Sequence, residues 1–157
     1  MKKFRFRLQK VMEIKEEVEK QRMIDLSEAK QVVDLETTRL NHLNDEQIDC
    51  QHRIDEKSST EKINPGELAL YYRFLDQTRM RIEAQEDRLQ AAHLEMERRR
   101  QILLEASKEK KVLEKLKEKK QAAYMIELNH KEQDMINEVA SIGHYRKSVA
   151  GNQGGRS

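Results

Sequence analysis

The sequence has no tryptophan, and its three phenylalanines and four tyrosines make up only 4% of 157 residues. Aromatic side chains supply much of the buried area of compact domains, so a core of several packed layers is excluded. One proline and five glycines leave almost nothing to punctuate the chain with turns. Cys50 is the single cysteine. It has no intrachain partner, and a reducing, cytosolic setting is the natural inference. No stretch approaches the roughly 20 apolar residues of a membrane-spanning helix. The opening is basic, but no apolar run of about 7–15 residues follows it, so it does not read as a secretion signal. Neither charge dominates: 31 Lys and Arg against 29 Asp and Glu leave a net charge of +2, so the molecule as a whole is not a polycation.

What is present is charge and helix-forming residues. Charged side chains make up 38% of the chain. High charge with low hydrophobicity describes either a disordered chain or a thin helical structure that buries only a seam. Abundant Glu, Lys, Gln, Leu and Arg with few breakers favours the helical structure. Neither Gly nor Pro occurs between Met1 and Asn64, nor between Glu67 and Ile142. The two runs are separated by "SSTEKINPGEL", residues 58–68. Asn64 suits an N-cap, and Pro65 suits the first helical position, where a missing N–H costs nothing. Glu67 stands where a capping box places its acid, and Ile63 and Leu68 stand where a hydrophobic staple closes. These features predict one helix over 4–57, a loop over 58–64 and a second helix over 65–142, with a flexible Gly-rich tail over 143–157.

The second helix repeats its apolar residues every seven positions, through Leu68, Leu75, Ile82, Leu89, Met96 and Leu103. The alternate column is weaker: Tyr71, Thr78, Gln85, Ala92, Arg99 and Ala106. This is the a/d pattern of a coiled coil. In the first helix Leu26, Ala29, Val33, Leu40, Leu43, Cys50 and Ile54 keep the 3–4 spacing, with Glu36 and Gln47 as polar interruptions. Phe4, Leu8, Val11, Ile14 and Val18 keep it too, but joining the two halves takes an extra four-residue step through Arg22, a stutter. Phe4, Phe6 and Leu8 also alternate as a strand would, yet no other stretch offers a strand to pair with. The fold class expected is all-α, a long antiparallel two-helix coiled-coil hairpin. Residue i then faces roughly residue 124 − i, and a first helix of about 54 residues spans roughly 80 Å. The second helix overhangs the first, and Leu128, Met135, Val139 and Ile142 continue an apolar stripe there that needs another partner.

No catalytic constellation is visible, and the chain does not read as an enzyme. His42, His52, His93, His130 and His144 are scattered without i,i+4 pairs, and Cys50 lacks a second cysteine, so no metal site is expected. No Gly-rich phosphate loop is present, so no nucleotide cofactor is expected either. Charge is more informative. Residues 98–120 hold ten basic and four acidic side chains, whereas residues 13–57 hold seven basic and thirteen acidic. Antiparallel pairing brings the basic opening, with Arg5, Arg7 and Lys10, beside Lys111, Lys115 and Lys119. Two basic segments converging in this way point to an acidic docking surface. Nucleic acid is a second choice, because aromatics are few and no binding motif is present. A generic dimeric scaffold is a third reading. Near the loop, Tyr72 and Phe74 lie off the seam; they form a contact patch or fold over the loop.

The opening "FRFRLQKVMEIKEEVEK" resembles the N-terminal pattern of the flagellar export protein FliJ family, and "KEKKVLEKLKEKKQAAYMIELNHKEQDMINEVA" is similar to its C-terminal pattern. The matching positions there are Lys110, Lys111, Leu113, Glu114, Lys115, Leu116, Tyr124, Glu132, Gln133 and Glu138, while Asn137 stands where Asp is more usual. The resemblance implies a stalk-like coiled coil in the cytosolic part of the flagellar type III export apparatus, peripheral at the inner membrane and without insertion into it. A virulence-type secretion stalk would share this architecture. The implied partners are the export ATPase FliI, the export gate protein FlhA and export chaperones, with no nucleic acid. On this resemblance Arg5, Arg7, Lys10, Lys111, Lys115 and Lys119 are assigned to the ATPase, and Tyr72 and Phe74 to the gate.

Overall fold

The computed structural model describes residues 3–60 and 64–152 and contains two helices, α1 (Gln9–Ser59) and α2 (Pro65–Asn152), with no strand among the described residues. The protein is an all-α helical hairpin. The absence of breakers allows helices of this length, and short-range ion pairs support their surfaces. Glu16 meets Lys20 at 3.8 Å, Glu95 meets Arg99 at 2.9 Å, and Glu127 meets Lys131. The chain divides into two compact units. One comprises Lys15–Lys108; the other joins Met1–Ile14 to Glu109–Ser157.

The 15–108 unit carries the seam. Leu26, Ala29, Val33, Leu43, Cys50 and Ile54 of α1 and Leu75 and Ala106 of α2 are its buried apolar residues. Cross-helix contacts run in opposite directions along the two helices, as an antiparallel pair requires. The Gln85 amide donates to the Glu36 carbonyl at 3.1 Å, the Arg99 guanidinium donates to the Asp25 carbonyl at 2.8 Å, and the Ser107 hydroxyl donates to Glu19 at 2.6 Å. Each pair lies within a few residues of the register predicted from the loop.

The start of α2 is built as the sequence indicated, with one change. The Asn64 side-chain oxygen accepts from the Gly66 N–H at 3.0 Å, which makes Asn64 the N-cap of α2. Glu67 does not close a capping box; it reaches across to Lys57, whose ammonium also lies 5.2 Å from the Tyr71 ring centre. An opposite charge on the facing helix is the stronger attraction for a carboxylate than one more neutral N–H. Ile63, the other half of the expected staple, lies outside the described residues.

Three features differ from expectation. First, α1 begins at Gln9 rather than at residue 4, and residues 3–6 are not helical. Its first turn holds no acid, and a run of Lys and Arg at a helix N-terminus opposes the helix dipole. Second, there is no stutter through Arg22. Upstream of Leu26 the less exposed positions are Glu19, Lys15 and Met12, which keep the seven-residue frame of the seam across an exposed Arg22, while Val11, Ile14 and Val18 stay 41%, 61% and 37% exposed. The hydroxyl of Ser107 satisfies the buried Glu19 carboxylate, which removes the need for an apolar residue there. Third, α2 continues through Gly143 to Asn152. Gly143 and Gly151 each cost a helix only about 1 kcal/mol relative to alanine.

Candidate functional site

The unit formed by Met1–Ile14 and Glu109–Ser157 is assembled from both ends of the chain. Its pattern starts with the opening segment. Phe4 and Phe6 are half-buried while Lys3, Arg5 and Arg7 are exposed. In a helix, residues two apart diverge by about 200°, so only one of the two rings could reach a neighbour. In an extended chain they share a side, and both do. The period-two alternation of Phe4 and Phe6 is therefore real, but the extended arm lies against a helix and pairs with no strand. The Phe4 and Tyr124 rings sit 5.6 Å apart at 48°, a tilted aromatic contact. Around them lies an open groove of about 990 Å³, lined by arm residues Lys3 to Leu8 and by Leu116, Lys120, Ala123 and Tyr124 among others on α2. Further along, the Lys117 ammonium donates to the Gln9 side chain at 3.0 Å.

All six cations singled out from the sequence, Arg5, Arg7, Lys10, Lys111, Lys115 and Lys119, belong to this unit, and all six are exposed. The charge of the unit is one-sided. It holds 15 Lys and Arg against 8 Asp and Glu, a net +7, whereas the 15–108 unit holds 16 against 21, a net −5. The near-neutral total of the chain hides this segregation. An exposed apolar set accompanies the cations: Val11, Ile14 and Val112, the last 66% exposed.

The second surface lies near the turn, within the 15–108 unit. A groove of about 530 Å³ is floored by Cys50 and Tyr71, edged by Leu70 and Phe74, and walled by Glu46, Asp49 and Glu67, with Arg53 beside them. Burial pushes the Cys50 thiol above its ordinary pKa, so it is held protonated, with its sulfur 3.7 Å from the Tyr71 carbonyl. Tyr72 and Phe74 do not form one patch. They are 52% and 39% exposed, but two residues apart on α2 they leave the helix on opposite flanks, and only Phe74 lines the groove. Leu70, one turn before Phe74 and 65% exposed, is the residue that shares its face. The i,i+4 spacing of Leu70 and Phe74 is legible in the sequence.

Among the described residues no group of His, Cys, Asp and Glu is arranged to hold a metal, and no helix is long and apolar enough to cross a membrane. What these surfaces offer is contact area with charge and apolar character of defined placement.

A family model described as flagellar FliJ protein matches residues 4–148, which takes in the arm, the hairpin and most of the α2 extension. The chain belongs to the FliJ family. It is a component of the flagellar type III protein export apparatus, and the match is to a flagellar family rather than to a virulence-type stalk. Comparison with curated proteins finds no match, and comparison with solved structures finds none. In FliJ terms, the two ends that carried the resemblance, residues 4–20 and 108–140, include all six of these cations.

Proposed function

We propose that this FliJ-family chain acts as a stalk-like adaptor in the cytoplasm, peripheral to the inner-membrane export apparatus, and that its basic unit docks on the export ATPase FliI. The observation that carries this reading is the segregation of charge: a net +7 on the unit built from both chain ends, with Arg5, Arg7, Lys10, Lys111, Lys115 and Lys119 exposed. Exposed charges of this kind act on encounter and orientation with an acidic partner more than on raw affinity. The surface near the turn is then left for the export gate protein FlhA and for export chaperones. Phe74, seated with Leu70 on the groove, is the better anchor there, and Tyr72 on the opposite flank serves a different contact.

The test is a matched pair of triple reversals. Arg5→Glu, Arg7→Glu and Lys115→Glu together should leave helicity unchanged, because none of the three is buried. They should weaken binding to the ATPase and lower the stimulation of ATP hydrolysis. Arg73→Glu, Arg79→Glu and Arg81→Glu near the turn should leave both close to wild type. Loss of stimulation in the second variant and not in the first would reverse the assignment of surfaces. Retention of a steeply salt-dependent affinity for random duplex DNA, with no affinity for the ATPase, would favour nucleic acid instead.

A further inference from the structure

Beyond Leu128, which is half-buried, every side chain of α2 from Asn129 to Ser148 is exposed, so no described residue of the chain packs on this extension. It is not polar all round. Met135 and Val139 are 67% and 66% exposed, and Met125 and Ile142 are 48% exposed each. Together with Leu128 they fall at 125, 128, 135, 139 and 142, a 3–4 stripe broken only by Glu132. An isolated helical segment with such a stripe is incomplete until a second helix covers it.

We propose that a second copy of this chain covers it, through antiparallel pairing of the two α2 extensions. The segment is complementary to itself in one register. Placing residue i of one copy beside about residue 267 − i of the other sets a and d positions against each other, as an antiparallel seam requires. Met125 then meets Ile142 of the second copy, and Leu128 meets Val139, with each contact made twice. Met135 covers the stem of Glu132. On the flank, Lys131 of each copy faces Glu138 of the other, two opposite-charge contacts. A parallel pair has none of this. It stacks Glu132 on Glu132 within the seam and sets Lys131 and Glu138 beside uncharged Ile136 and Gly143. Charge therefore selects the second copy and also its direction. The paired stretch is short, about three heptads, which places the dimer at the weak end of specific interfaces, with a dissociation constant on the order of 10 µM.

Sedimentation velocity on the full chain across that range should show a concentration-dependent monomer–dimer equilibrium. Val139→Lys places an ammonium in the seam and should weaken dimerisation at least about tenfold. Val112→Lys, at an equally exposed residue outside the stripe, should not. Lys131→Glu should weaken the dimer, and Lys131→Glu combined with Glu138→Lys should restore it. Direction is read separately in a Cys50→Ala background. Chains carrying Leu128→Cys mixed with chains carrying Val139→Cys should give the mixed disulfide in excess over either homodisulfide. A monomer at every concentration, or a dimer indifferent to Val139→Lys, overturns the proposal. So does an excess of homodisulfides, and so does failure of the charge exchange to restore pairing.

Discussion

Thr78 is fully buried at a seam position of α2, and its hydroxyl has no hydrogen-bond partner among the described residues. A hydroxyl removed from water without compensation is a net cost, of about 1–3 kcal/mol. Valine has the same branched shape without the polar atom. Thr78→Val is therefore expected to stabilise the hairpin by roughly 1 kcal/mol, read as a higher midpoint in chemical denaturation with an unchanged slope. The neighbouring polar seam residues behave differently. Gln85 is 4% exposed but donates to the backbone of the facing helix, so its amide specifies which residues meet. Glu95 is the clearest electrostatic case. Hydrogen bonds from Arg98 and Arg99 hold its carboxyl down at about 2, against an ordinary 4.5. A depressed folded pKa means that the associated stability is present above the unfolded value and is lost as pH falls from about 4.5 toward 2. Carboxyl NMR titration of Glu95 should give a midpoint near 2, and Arg98→Gln should raise it. The difference in melting temperature between wild type and Arg98→Gln should vanish across the same pH window.

At the scale of elements, the best-read feature was the start of α2. Asn64 and Pro65 are local instructions, and the cap hydrogen bond follows from them without help from the rest of the fold, whereas Glu67 answers to Lys57 on the facing helix. Asn64→Ala should lower stability by roughly 1 kcal/mol in denaturation, because the Gly66 N–H loses its acceptor. The start of α1 is ambiguous in the sequence for a physical reason. Phe4, Leu8, Val11, Ile14 and Val18 fit a helical stripe, and Phe4, Phe6 and Leu8 fit an extended one. Periodicity alone cannot choose when both templates match. The choice was made by the run of cations, which disfavours a helix N-terminus, and by the room beside Tyr124 for a ring. The supposed stutter failed similarly. Apolar Val18 does not face inward; Glu19 is the buried residue because Ser107 stands opposite it.

At the scale of the whole molecule, the hairpin topology converts a nearly neutral sequence into two units of opposite net charge. If the basic unit acts through that charge, raising ionic strength from about 0.05 to 0.5 M should shrink the difference between wild type and the Arg5, Arg7 and Lys115 reversal, because the screening length falls from about 14 to 4 Å. A contact dominated by apolar Val11, Ile14 and Val112 would show no such loss. The sequence by itself determined the all-α class, the two helices, the site of the turn and the direction and register of their pairing. Each of these follows from local propensity and a periodic seam. Tertiary structure alone decided which polar residues enter that seam and that the arm lies extended. Those outcomes depend on what stands opposite each side chain, and a neighbour supplied by a distant part of the chain leaves no mark in the local pattern.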